Sequence, residues 1–162
     1  MTQHQHVLQA CFYRFVLLQI NLDENNGVVL APDVGSAKMS QAYAKSLKIS
    51  FALIDKRRPN ANEAEIANLV GDLENKHVLI IDDMIDTAGT ICNAADAAIN
   101  NGALSVTAIA THPVLSGPAL DRLINSKIMK VIVCNTINIQ QNKLFDKLEI
   151  INVADVFGEA IK

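Results

Sequence analysis

Tryptophan is absent from this 162-residue chain, and aromatic residues supply only 4% of it. Half of the residues are hydrophobic, so the interior must be built from Ala, Ile, Val and Leu. That composition fits an ordered α/β domain and not a disordered chain. Cysteine is scarce: Cys11, Cys92 and Cys134 are odd in number, far apart and without CxxC spacing. They read as reduced thiols, and a cytoplasmic protein is expected. Excess positive charge is also lacking, with a net charge of −3. No global basic field recruits nucleic acid or an anionic membrane, so a phosphate ligand must be held by a local site. Long apolar runs are missing too. The patch CFYRFVLLQI (11–20) contains Arg14 and is shorter than the roughly 20 residues that span a bilayer. It also lacks the basic flank and small-residue cleavage site of a signal peptide. No repeat, low-complexity tract or linker divides the chain, and the length suits one domain.

Short apolar runs alternate with helical patterns. GVVLAP (27–32), SFALID (50–55), HVLIIDD (77–83), SVTAIAT (105–111), KVIVCNT (130–136) and EIINVA (149–154) are rich in β-branched residues. They show no polar alternation, which predicts strands buried on both faces. Helices of roughly three turns are predicted over 36–48, 62–73, 87–103 and 116–126. Strand followed by helix, repeated, predicts an α/β fold with an open parallel sheet flanked by helices. Residues 1–26 differ in character and read as a variable N-terminal segment, either a tail or an added helix; 27–162 form the domain.

In such a sheet, ligands bind outside the carboxyl ends of the strands. The first run leads into Asp33-Val34-Gly35-Ser36, and the third into Asp82-Asp83-Met84-Ile85-Asp86-Thr87-Ala88-Gly89-Thr90. Both join acids to Gly and hydroxyls just before a helix. In the second loop, the N–H groups of residues 87–90 with the Thr hydroxyls make a nest for a phosphate. Ala88 and Gly89 leave room for close approach. Asp82 and Asp83 stand one turn of chain earlier, where a ribose hydroxyl pair or a hydrated Mg²⁺ would sit. A plain helix cap at Asp86 or Thr87 accounts for one of these groups. It does not account for two more acids at the end of a buried strand, each costly to desolvate. Next, IDKRRPNAN (54–62) puts three cations before a Pro and Asn-rich turn. Alone this reads as a solvated basic loop; beside a phosphate nest it reads as a lid that neutralises a transferring phosphoryl group.

VVLAPDVGSAK, ALIDKRRPNAN, VLIIDDMIDTAGT, ATHPVLSGPA and VADVFGEAIK follow one another in a way that resembles the ribose-phosphate pyrophosphokinases, from about residue 27 onward. DDMIDTAGT alone resembles the sugar-phosphate signature of type I phosphoribosyltransferases. The resemblance implies a type I phosphoribosyltransferase-like fold. It implies that Asp82, Asp83, Asp86, Thr87, Ala88, Gly89 and Thr90 bind ribose 5-phosphate, the first acids on ribose hydroxyls and the later residues on the 5-phosphate. Lys56 and Arg58 would be the catalytic cations. Asp33, Gly35 and Ser36 would form the pyrophosphate loop, with Asp33 on Mg²⁺. The implied reaction is attack of the ribose C1 hydroxyl on the β-phosphorus of Mg-ATP, giving phosphoribosyl pyrophosphate and AMP.

The chain also departs from that family. Family members are about twice as long and made of two similar halves; the N-terminal half, with much of the ATP site, is expected to be missing here. Gly35-Ser36 stands where Gly-Gly is usual, and a Cβ at 36 would crowd a phosphate if that residue needs φ > 0. Met39-Ser40-Gln41 stands where an Arg is common. Two further readings follow: a non-catalytic ribose-phosphate-binding or regulatory subunit, and a phosphoribosyltransferase. Expected partners are ribose 5-phosphate and ATP, with a homo-oligomer or association with full-length synthetase chains, and neither nucleic acid nor membrane. Among the other residues, His112 reads as part of a turn, Ser116 as a helix N-cap and Cys92 as a packed thiol. Tyr43 and Phe51 read as core, Lys45 and Lys48 as a solvated face.

Overall fold

The computed structural model describes residues 22–57 and 66–154. Seven strands form one sheet in the order β3-β2-β1-β4-β5-β6-β7. In chain order these are β1 (Gly27–Ala31), β2 (Ser50–Arg57), β3 (Ile66–Val70), β4 (His77–Ile85), β5 (Ser105–Pro113), β6 (Lys130–Cys134) and β7 (Leu148–Ile151). Helix α1 (Ala37–Leu47) follows β1, α2 (Gly89–Asn100) follows β4 and α3 (Ala119–Asn125) follows β5. A single 3₁₀ turn at Gln141–Lys143 lies between β6 and β7.

The central strands are apolar on both faces because each face has its own core. Val28, Leu30, Ile80, Val106 and Val131 pack with Ala94, Ala98 and Leu123 of α2 and α3. Their sequence neighbours Val29, Leu79, Ile81 and Ile132 pack on the other face with Ile109, Ala44 and Ile49. Alternate residues of one strand thus enter opposite cores, the period of two that a pleated strand imposes. Helix α2 turns Ile91, Ala94, Ala95 and Ala98 to the sheet, the i, i+3, i+4, i+7 stripe of a core-facing helix. Tyr43 and Phe51 pack partly buried against the second core. Lys45 and Lys48 are exposed, as expected.

The sheet is mostly parallel, with one correction to the all-parallel expectation. Of the helix predicted over 62–73, residues 66–70 form β3 instead, paired antiparallel with β2 from Leu53↔Val70 to Arg57↔Ile66; 62–65 lie outside the described residues. Ile66, Leu69, Val70 and Leu73 do fall at helical spacing. The open edge of β2 is the stronger competitor, because pairing it satisfies a row of backbone groups that a helix would leave bare. The same pairing corrects the reading of 54–62 as a loop. Lys56 and Arg57 continue β2, with backbone partners Ala67 and Ile66. Arg58 and the rest of the basic loop lie outside the described residues.

Strand order sets up the site. From β1 the chain moves to β2 and β3 on one side, then returns to β4 on the other side of β1. β1 and β4 are parallel neighbours, Gly27↔His77 to Leu30↔Ile80, and their following connections leave in opposite directions. That is a topological switch point, with a crevice outside the two carboxyl ends.

Candidate functional site

Both acid-bearing loops open onto this crevice. After β1, Asp33 accepts a hydrogen bond from the Ser36 N–H at 2.9 Å through Oδ1. The Ser36 hydroxyl donates back to the Asp33 carbonyl at 3.0 Å. Ser36 has φ −85° and forms the N-terminal boundary of α1. The expected crowding at position 36 is therefore not found: its backbone is right-handed, and a Cβ there carries no strain.

After β4, burial ends abruptly. Ile81 is 2% exposed, Asp82 is half-buried and Asp83 is exposed. Burial is the main force that pushes the Asp82 carboxyl up from 3.8 to about 6, and the carboxylates of Asp83 and Asp33 add to it. The Asp83 N–H, 2.8 Å from Asp82 Oδ1, works in the opposite sense. Three acids from two loops thus converge, and one of them is held where ionisation is unfavourable. Such a group is a site candidate on physical grounds.

A raised carboxyl binds its proton more tightly in the folded chain than in the unfolded one. The stability it contributes is complete below pH 3.8 and lost as pH rises through about 6. Asp82→Asn is therefore expected to stabilise the ligand-free chain at pH 7 by about 1 kcal/mol, allowing for solvent screening. At pH 4 the gain should vanish. Denaturant unfolding of both proteins at the two pH values checks this; a gain equal at both contradicts it.

The next residues build a concavity. A cavity of about 150 Å³ is lined by Asp82 and residues 84–91. Helix α2 starts at its wall. The residue at the N-terminal boundary is Ala88, in the left-handed region at φ 60°, and no side chain caps the helix. The capping alternative for Asp86 and Thr87 is thus not what the structure shows. The Asp86 carboxylate instead accepts from the Ser116 hydroxyl. Among the described residues no side chain bonds the first-turn N–H groups of α2, the arrangement that attracts anions.

Several residues differ from their sequence reading. Ser116 does not cap α3; Pro118 stands at that boundary. His112 lies within β5, opposite Met84, and not in a turn. Its Nδ1 is 2.9 Å from Thr136 Oγ1, whose own proton goes to the Thr111 carbonyl at 2.9 Å. His112 Nδ1 must then be the donor, which leaves Nε2 unprotonated in the neutral ring. Burial pushes the Cys92 thiol up, as a packed thiol requires. Sequence reasoning missed Arg122, whose Nη1 donates to the Thr87 carbonyl at 2.9 Å. Nothing in ALDRLIN separates it from an ordinary solvated helix cation. Lys56 is placed by its backbone at the carboxyl end of β2, on the same edge of the sheet as both loops. No group of three or more metal-ligating side chains is assembled among the described residues. Nor is any helix among them long and apolar enough to cross a membrane.

Residues 2–146 match the phosphoribosyl transferase domain family. The chain belongs to that family. The phosphoribosyl transferase domain described here is 51% identical, over 134 residues, to a ribose-phosphate pyrophosphokinase of Halalkalibacterium halodurans, covering 83% of this chain and 42% of that protein. It is 44% identical over 142 residues to the enzyme of that name from Clostridium acetobutylicum, covering 88% and 44%. The crystal structure of phosphoribosylpyrophosphate synthetase from Mycobacterium smegmatis superposes with a TM-score of 0.80 at 33% identity, covering 97% of this chain and 49% of that one. The resemblance seen in the motifs is thus found across most of the domain, with the type I phosphoribosyltransferase fold. The chain spans about half the length of the curated relatives it matches.

Proposed function

We propose that the crevice between β1 and β4 binds ribose 5-phosphate and that the chain serves pyrophosphoryl transfer from Mg-ATP. The observation that carries this reading is the uncapped start of α2 facing a cavity one turn beyond a converging set of acids. A dianionic phosphate satisfies the first; the vicinal hydroxyls of a ribose satisfy the second. Asp82 and Asp83 accept from the hydroxyls, and residues 86–90 hold the 5-phosphate. Asp33, Gly35 and Ser36 stand beside the pyrophosphate. Mg²⁺ needs only one or two protein carboxylates and completes its shell with water and phosphate oxygens, so Asp33 alone suits it. Lys56 and Arg58 neutralise charge as the C1 oxygen bonds the β-phosphorus, the α–β bridging bond breaks and AMP departs. The hydroxyl proton is released. The names of the relatives, ribose-phosphate pyrophosphokinase, support pyrophosphoryl transfer to a ribose phosphate.

A second reading is a ribose-phosphate-binding subunit that works only beside a full-length chain. Release of AMP from Mg-ATP and ribose 5-phosphate separates the two. AMP formed by this chain alone supports autonomous transfer. AMP formed only on mixing with a full-length synthetase supports the subunit. Ribose 5-phosphate binding with AMP in neither case would overturn the pyrophosphokinase reading.

A further inference from the structure

Three consecutive carbonyls of the β4–α2 loop point to one neighbour. The Ile85 carbonyl accepts from the Leu115 N–H at 2.9 Å and the Asp86 carbonyl from the Ser116 N–H at 3.0 Å. The Thr87 carbonyl accepts from Arg122 Nη1 at 2.9 Å. All three donors belong to the segment between β5 and α3 or to α3 itself. That segment is bent to reach: Leu115 has φ 50° and Gly117 φ 51°. Leu115 is buried, and its carbonyl accepts from Lys143 Nζ at 2.9 Å, so the segment is itself anchored.

A trans peptide holds its C=O and N–H in opposite directions. With the carbonyls of 85, 86 and 87 bonded on one side, the N–H groups of Asp86, Thr87 and Ala88 face the other. Among the described residues no backbone carbonyl accepts from them, and all three residues line the cavity. Gly89 belongs to the same arrangement. A Cβ there would lie 3.1 Å from Arg122 Nη1, tighter than an ordinary contact. Glycine at 89 is thus needed less for its backbone than for the guanidinium beside it.

We propose that the segment from Leu115 to Arg122 is the scaffold that aims the N–H groups of residues 86–88 into the cavity, with Arg122 a positioning residue for the anion. It acts through the Thr87–Ala88 peptide and does not touch the ligand. The inference deepens the sugar-phosphate reading and rests on it for the identity of the anion. Preorganised donors cost no reorganisation on binding, which is why a residue outside the cavity controls affinity within it.

The test uses the ¹⁵N-labelled full chain, following the Ala88 amide resonance without ligand and the ribose 5-phosphate Kd by calorimetry. Arg122→Met keeps the packing stem and removes the donors. It is expected to shift the Ala88 amide and raise Kd about tenfold, the worth of one hydrogen bond to a charged group. Arg122→Lys should recover only part of each. Gly89→Ala should raise Kd more in the Arg122 background than in the Arg122→Met background. An unmoved Ala88 amide with unchanged Kd overturns the inference. So does full recovery by Lys with no amide shift, which marks a pure charge effect, or a rise in Kd matched by lost cooperative unfolding. If the unaltered chain binds no ribose 5-phosphate, the sugar-phosphate reading fails, and the Ala88 amide still decides whether Arg122 holds the loop.

Discussion

Gly71→Ala is expected to destabilise the chain by roughly 2–6 kcal/mol, adding backbone strain of about 1–3 to overpacking of about 1–3. Gly71 has φ +113°, a conformation that side-chain-bearing residues rarely adopt, and it ends β3 against the buried Ala52 of β2. A Cβ at 71 would sit 2.8 Å from the Cβ and 2.9 Å from the Cα of Ala52. Backbone cannot swing aside as a flexible side chain can, so the two costs are both incurred. Against a total stability of about 5–15 kcal/mol the loss is severe. Denaturant unfolding measures it, with an unchanged m-value as the control for the unfolded state. A loss under about 1 kcal/mol would mean that β3 does not bear on β2 at this point.

The edge strand is also where the sequence was least legible. IANLV carries a helical stripe and β-branched residues together, and only the open edge of β2 decides between them. That edge belongs to a residue run nine or more positions away, and no local pattern contains it. The central strands were legible for the opposite reason. Val28 to Leu30 and Leu79 to Ile81 are apolar on both faces, and only a doubly covered parallel strand needs that.

The second large effect concerns the acids. Asp82→Asn with Asp83→Asn is expected to weaken ribose 5-phosphate binding at least about a hundredfold. Hydrogen bonds to charged groups are worth about 1.5–3 kcal/mol each, and 1.4 kcal/mol is tenfold in Kd. Direction is the informative part. Asn keeps the shape and removes two negative charges near a bound dianion, so long-range charge alone would tighten binding. Looser binding in the double variant requires direct acceptance of the sugar hydroxyls. Calorimetry at pH 7 reads the result, and an affinity unchanged or improved would remove Asp82 and Asp83 from the sugar. Asp82→Asn alone should stabilise the ligand-free chain, so the pair would trade stability for binding, a familiar feature of functional sites.

The site was partly legible. Asp82, Asp83 and residues 86–90 stood out as acids, hydroxyls and small residues at a strand end; the structure brings Asp82 and residues 86–90 around one cavity, with Asp83 and Asp33 near the Asp82 carboxyl. Their juxtaposition depends on β1 lying next to β4, and strand order is a property of the whole chain. Ser36 was read through its side chain, whereas its backbone conformation settles the matter at φ −85°. Arg122 and Ser116 were invisible in role because their partners, Thr87 and Asp86, lie 35 and 30 residues away. A residue that acts by holding a carbonyl leaves no compositional trace.

Calorimetric titration of this chain with ribose 5-phosphate at pH 7, with ribose and inorganic phosphate as controls, is the most direct test of the account. Saturable binding of ribose 5-phosphate, tighter than either control, is the predicted result, because in the proposed site the acids and the α2 start would each hold one end of the ligand. Equal binding of inorganic phosphate and ribose 5-phosphate, or no binding of the sugar phosphate, would contradict it.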